Sequence, residues 1–139
     1  MPLSEALLKL HIMKPVVRHL DDLTWAGWPE EQVAQRGAVT WKALQGANGD
    51  DDTHLTLGVA RVLKDESLEA HRHTQPETYY VLSGSGLVTI ENEEFEVTAD
   101  TMVYIPGDAL HKINNYSDEE LRILYLFSEP DFSKVVYRF

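Results

Sequence analysis

From residue 38 onward, short runs rich in Val, Ile, Leu, Thr and Tyr alternate with clusters of Gly, Pro, Asn, Asp and Ser. The runs are 38–44 (AVTWKAL), 53–63 (THLTLGVARVL), 68–73 (LEAHRH), 77–84 (ETYYVLSG), 86–91 (GLVTIE), 94–98 (EFEVT), 101–106 (TMVYIP), 110–114 (LHKIN), 121–127 (LRILYLF) and 134–139 (KVVYRF). A shorter one, 15–20 (PVVRHL), precedes them. β-Branched and aromatic residues suit a pleated surface, and the residues between the runs are those that turn a chain. No segment keeps a helical period long enough for a crossover between parallel strands. The pattern predicts an all-β sandwich or barrel. Helix is expected only as one turn over 29–34, where Pro29 suits the first helical position, and as a short piece over 5–10 capped by Ser4. Residues 46–52 (GANGDDD) and 64–67 (KDES) read as turns.

A length of 139 residues argues for one domain and is enough to bury a core without covalent staples. Residues 1–14 read as an N-terminal extension, with Met13 a second plausible start, and 15–139 as the barrel. The chain has 23 Asp and Glu against 12 Lys and Arg, a net charge of −11. Such a field repels phosphate backbones and anionic bilayers, so nucleic acid and membrane are not expected partners. No apolar stretch reaches the length of a membrane span. The opening apolar run is broken by Lys9 and His11 and lacks a small-residue cleavage site, so it does not read as a signal peptide. The absence of cysteine excludes disulfides, thiolate nucleophiles and sulfur-ligated metals. It agrees with a reducing, cytoplasmic setting.

Against that background, residues 69–86 (EAHRHTQPETYYVLSGSG) place two imidazoles, a carboxylate and a phenol close together. Side chains at i and i+2 of a strand share a face, so His71 pairs with His73 and Glu77 with Tyr79. His111 supplies a third imidazole. A lone histidine is usually an ordinary core or surface residue, and His11, His19 and His54 are read that way. The cluster is different, because several nitrogen donors and a carboxylate converging on one interior face have few structural uses. His71, His73, Glu77 and His111 are therefore the candidate ligands of one divalent transition metal. Fe, Mn, Co, Ni, Cu and Zn all accept such donors. Four protein ligands would leave open positions on an octahedral ion for water or substrate.

These two blocks resemble the two motifs of the cupin superfamily. The first motif runs Gly, five residues, His-x-His, three or four residues, Glu, six residues, Gly, and His71, His73, Glu77 and Gly84 match it. The second runs Gly, five residues, Pro-x-Gly, two residues, His, three residues, Asn, and Pro106, His111 and Asn115 match it. Asp65 and Asp100 stand where the motifs open with Gly. Asp108 stands at the Gly of Pro-x-Gly, with Gly107 one place early. The motifs cover about 65–84 and 100–115. The resemblance implies a single-domain cupin β-barrel, a jelly roll or double-stranded β-helix, often dimeric, with the metal inside its mouth.

The Glu77-x-Tyr79 spacing is similar to that of the cupin dimethylsulfoniopropionate lyases. In that group a tyrosine two positions after the metal glutamate is the base of a β-elimination that releases dimethyl sulfide and acrylate. The resemblance implies that role for Tyr79, and a small carboxylate-bearing substrate. Tyr104 is a candidate for orienting the substrate if its strand turns it and Met102 inward. Trp41 and Tyr125, with Trp25 and Trp28, are candidate aromatic faces for a sulfonium. Tyr80 should face away from Tyr79. Three alternatives remain: an iron-dependent dioxygenase, a metal-containing binding protein without turnover, and a sugar-phosphate isomerase or epimerase. The last needs basic residues in the pocket, and of Arg61, Arg72, Lys112 and Arg122 the second and third alternate with ligands and should point outward. A homodimer is expected, because apolar strands at 15–20 and 135–139 would otherwise leave open edges.

Overall fold

The computed structural model describes residues 15–47 and 53–139. The expected helix over 5–10, the extension 1–14 and most of the 46–52 turn lie outside the described residues. Ten strands follow in order: β1 Ala26–Gly27, β2 Thr40–Gln45, β3 Thr56–Val62, β4 Ser67–His71, β5 Glu77–Ser83, β6 Ser85–Ile90, β7 Glu93–Thr98, β8 Met102–Ile105, β9 His111–Asn114 and β10 Leu121–Phe127. One sheet has the order β1-β2-β3-β10-β5-β8 and the other β4-β9-β6-β7, and every pair is antiparallel. This is the all-β architecture that the alternating runs predict.

The core lies between the sheets. β10 shows why its sequence chooses this fold: Leu121, Ile123, Tyr125 and Phe127 are buried, while Arg122, Leu124 and Leu126 between them are only half-buried. Val62, Val81, Val88, Ile105 and Ile113 meet that inner face from the other strands. Each such side chain contributes about 1.5–3 kcal/mol through burial. The turn after β9 is pinned by Asn115, the last residue of the second motif. It is fully buried, donates through Nδ2 to the carbonyls of Val62 (2.9 Å) and Glu119 (2.7 Å), and accepts through Oδ1 from the Ser117 amide (2.9 Å).

The departures from the motifs fall on turns that keep a glycine-like backbone. Asp65, Asp100 and Asp108 have φ of 63°, 71° and 63°, as does Gly84 of the first motif at 80°. Asp is among the few residues that visit this region at modest cost. The replacements therefore preserve the loops that carry the site.

Both terminal runs differ from expectation. Residues 15–20 form no strand; they lead into a 3-10 turn, Leu20–Asp22, capped by the His19 side chain, and Val17 is 97% exposed. Pro15 lacks an amide donor, and it is the Arg18 side chain that reaches a β2 carbonyl, that of Leu44. Residues 135–139 follow a further 3-10 turn, Phe132–Lys134, and among the described residues they pair with the barrel backbone only at the isolated bridge Arg72↔Arg138. The unpaired edge strands invoked for a dimer are thus absent at these positions. Around Pro29 the expected helical turn exists as a 3-10 piece, Glu30–Gln32, continuing into α1, Val33–Arg36. The two-residue β1, paired Ala26↔Trp41 and Gly27↔Thr40, is too short to leave a periodic signal.

Candidate metal centre

Strand pairing builds the site. β4 and β9 place His71 opposite His111, and the two rings lie 4.1 Å apart. His73 follows one pleat later, 4.9 Å from the His111 ring, and the bend at 74–76 brings Glu77 back on β5. All four side chains are buried. The ring nitrogens of His71, His73 and His111 lie within 4.8 Å of one another, a set that can hold a metal ion. Glu77 Oε1 is 3.3 Å from Nε2 of both His73 and His111. Two ligands bound side by side at about 2.1 Å are separated by about 3 Å, so this spacing suits a shared ion.

The hydrogen bonds carry the same message. Nδ1 of His71, His73 and His111 lies 2.7, 2.9 and 2.8 Å from the carbonyls of Glu69, Gln75 and Ala109. A carbonyl only accepts, so each Nδ1 holds the proton and each Nε2 is left with a lone pair facing inward. His73 Nε2, His111 Nε2 and Glu77 Oε1 are buried without hydrogen-bond partners. Three acceptors facing one another repel unless a cation or an extra proton lies between them. The donor set therefore fits a divalent ion.

Charge and burial tune these groups. Burial, then the neighbouring His111, pushes His71 down from 6.5 to about 3, so its imidazole stays neutral. Burial alone would raise Glu77, but in the metal-free chain a proton taken up on Nε2 of His111 or His73 would bond to the carboxylate and face it with positive charge, and this outweighs burial and keeps the carboxyl below its usual range. Both shifts act in one direction on the metal-free chain. Below about pH 6.5 the unfolded chain takes up the His71 proton that the folded chain refuses, and the stabilisation from ionised Glu77, present above its unfolded value, is lost as pH falls through its folded value. The metal-free protein is expected to weaken steadily below pH 6.5, by up to about 1.4 kcal/mol per pH unit for one proton. Urea midpoints at pH 7.5, 6 and 5 test this; equal midpoints would contradict the buried neutral imidazole.

Next to the ligands lies a cavity of about 30 Å³, lined by Glu77, Tyr79, Tyr125, Trp41, Phe132 and Tyr137 among others. Tyr79 follows Glu77 on the inner face of β5, and burial, then the Glu77 charge, raises its hydroxyl well above 10. Tyr125 is raised likewise, its buried hydroxyl has no partner, and its ring occupies the space that Gly58 leaves by lacking a side chain. No Lys or Arg is among the described residues of the lining. Lys112 instead pairs with Glu69 at 3.3 Å, and the Arg72 guanidinium donates to the Asp108 carbonyl. That leaves a phosphate without a counter-charge in the cavity.

Two aromatic candidates fall elsewhere. Tyr104 does share a face with Met102, but it is the outer one: they are 56% and 60% exposed, and Val103 and Ile105 turn inward. Trp25 lies under Arg61 at 4.0 Å and Lys42 at 4.7 Å, outside the cavity. Trp28, Phe132 and Tyr137 line the cavity, and the last two carried no motif signal. Only the aromatic spacing of the final residues could have drawn attention to Tyr137.

The family described as Cupin domain matches residues 58–127, which hold every candidate ligand. The chain belongs to the cupin family. This cupin is 39% identical over 103 residues to dimethylsulfoniopropionate lyase DddW of Ruegeria pomeroyi, covering 74% of this chain and 67% of that one. It is 25% identical over 132 residues to acireductone dioxygenase of Xylella fastidiosa, covering 81% and 70%. Its fold is similar to a cupin 2 conserved barrel domain protein from Rhodopseudomonas palustris, with a TM-score of 0.72, 13% identity and coverage of 88% and 83%. No helix among the described residues is long and apolar enough to cross a membrane.

Proposed function

We propose that this cupin holds one divalent transition-metal ion through His71, His73, His111 and Glu77, and catalyses β-elimination on a small carboxylate-bearing molecule. Dimethylsulfoniopropionate is the best specific candidate. The observation that carries the reading is the phenol of Tyr79 in the same buried cavity as the Glu77 carboxylate, on the same strand face. The similarity to the Ruegeria pomeroyi lyase supports the substrate. The bound ion supplies Lewis acidity toward the substrate carboxylate and positive charge that favours ionisation of nearby acids. Tyr79, as phenolate, takes the proton α to the carboxylate. The electron pair of that C–H bond forms the C=C bond as the β C–S bond breaks. Dimethyl sulfide leaves as a neutral molecule and needs no acid, and acrylate remains. Trp41 and Tyr125 present aromatic surface to the sulfonium.

Metal analysis of protein purified without added metal, with headspace detection of dimethyl sulfide and assay of acrylate, tests the reading. A metal-loaded protein that releases neither product rejects the lyase. The second reading is an oxygen-using cupin, favoured by the similarity to acireductone dioxygenase; oxygen consumption by iron-loaded protein distinguishes it.

The proposed assembly is a homodimer through the outer face of the six-stranded sheet. Tyr80, Leu82, Met102 and Tyr104 are exposed there, with Tyr80 opposite Met102 on β5 and β8. Light scattering at micromolar concentration is expected to give twice the chain mass, and a monomer refutes the dimer.

A further inference from the structure

The cavity beside the ligands is too small for the chemistry just proposed. A volume of about 30 Å³ holds a water or two, not a molecule with a carboxylate at one end and a sulfonium at the other. Something in the wall moves when a ligand enters. Most of the lining belongs to strands paired in ladders. The exceptions are Trp28, Val39, Phe132 and Tyr137, and of these Val39 directly precedes β2 and its amide donates to the Ser67 carbonyl at 3.2 Å.

The segment that carries Tyr137 is tied to the barrel by few backbone bonds. After Val135 the chain meets the barrel at one bridge, in which Arg72 and Arg138 exchange two backbone hydrogen bonds of 2.9 Å. Arg138 also pairs with Asp108. Phe139 rests on the Arg36 guanidinium (4.8 Å), which also lies over Trp28 (4.9 Å). Val136 is exposed. Between these contacts Tyr137 points inward. Its ring is 5.1 Å from the His71 ring and 5.3 Å from that of His73, and the residue is half-buried. The bridge partner Arg72 sits between His71 and His73, so the arm lies directly over two candidate ligands.

We propose that Val136–Phe139 is a gate over the metal cavity, and that Tyr137 is its plug, setting the size of ligand the closed cavity admits. Opening breaks two backbone hydrogen bonds, one exposed ion pair, the ring contacts of Tyr137 and Phe139 with Trp28, His71, His73 and Phe132, and the Arg36 contact, but no strand ladder, and such a segment can open locally without global unfolding. The gate deepens the enzymatic reading by supplying the entry that its substrate needs. Its geometry does not depend on which substrate enters.

The absence of cysteine allows a clean lock. A pair that exchanges both backbone hydrogen bonds has Cα atoms about 5.5 Å apart, within reach of a disulfide. Arg72→Cys with Arg138→Cys is expected to form one on oxidation. The readout is carbethoxylation of His71, His73 and His111 by diethyl pyrocarbonate in the metal-free full chain, followed by mass spectrometry. The oxidised form should react at least about tenfold more slowly than the same protein after reduction, since the reagent enters only through the open state. Tyr137→Ala, which removes the plug but keeps the bridge, should react about tenfold faster than the unmodified chain. Equal rates in the locked and reduced forms, an unchanged rate in Tyr137→Ala, or a folded double variant that fails to form the disulfide would each overturn the gate. Because this measurement needs neither metal nor turnover, loss of the lyase reading leaves it intact. In a cobalt-loaded protein the lock should slow removal of the ion by EDTA to the same degree.

Discussion

Replacing Tyr79 by Phe is expected to leave the metal in place and lower turnover of dimethylsulfoniopropionate by about a hundredfold or more, the usual scale for loss of a general base. The substitution keeps the ring, which is buried against Val103 and Tyr125 across the neighbouring strands, and removes only the hydroxyl. Its effect on folding should be small, about 1 kcal/mol or less, since a single side-chain hydrogen bond is at stake. Tyr80→Phe is the internal control. That residue faces outward, and its hydroxyl donates to Asp100 at 2.8 Å. Deleting it should leave turnover unchanged, although the two phenols are adjacent in sequence. Metal content and turnover have to be measured on the same samples. If Tyr79→Phe retains both metal and rate, the phenol is wall packing and the β-elimination loses its base.

The contrast between Tyr79 and Tyr80 was legible in the sequence because alternation along a strand needs no knowledge of its neighbours. Tyr104 shows the limit of that logic. Met102 and Tyr104 share a face, but Val103 and Ile105 are equally apolar, and only the register against β5 decides which pair turns inward. The same holds for the final residues. Their composition matches a strand, yet pairing is non-local, and Arg138 alone finds a partner. The candidate ligands were legible as types and spacings, whereas the facing of His71 and His111 across β4 and β9 was not. The aspartates that depart from the motifs mark a different gap. Their residue type hides the left-handed backbone that Asp65, Asp100 and Asp108 share with Gly84.

His111→Ala is expected to cost the protein its metal. His71 and His73 come from adjacent pleats of one segment, but His111 is the only imidazole of the set that comes from the second motif. Without it, the candidate set loses one of its three imidazole donors, and affinity should fall by more than about a hundredfold, beyond the 10–100-fold typical of merely disturbing a ligand's outer partners. The apo fold should survive. The change creates a small cavity and removes the bond from Nδ1 to the Ala109 carbonyl, but it also removes one of the inward-facing acceptors, His111 Nε2, 3.3 Å from Glu77 Oε1. Thermal melts with and without added metal separate these effects. An ion at a hundred times its dissociation constant stabilises the unmodified chain by about 2.7 kcal/mol, a shift of several degrees. His111→Ala should melt at one temperature whether or not the ion is present. If it still gains stability from the ion and carries one equivalent by elemental analysis, His111 is not a ligand, and the three acceptors that face one another in this cavity require another explanation.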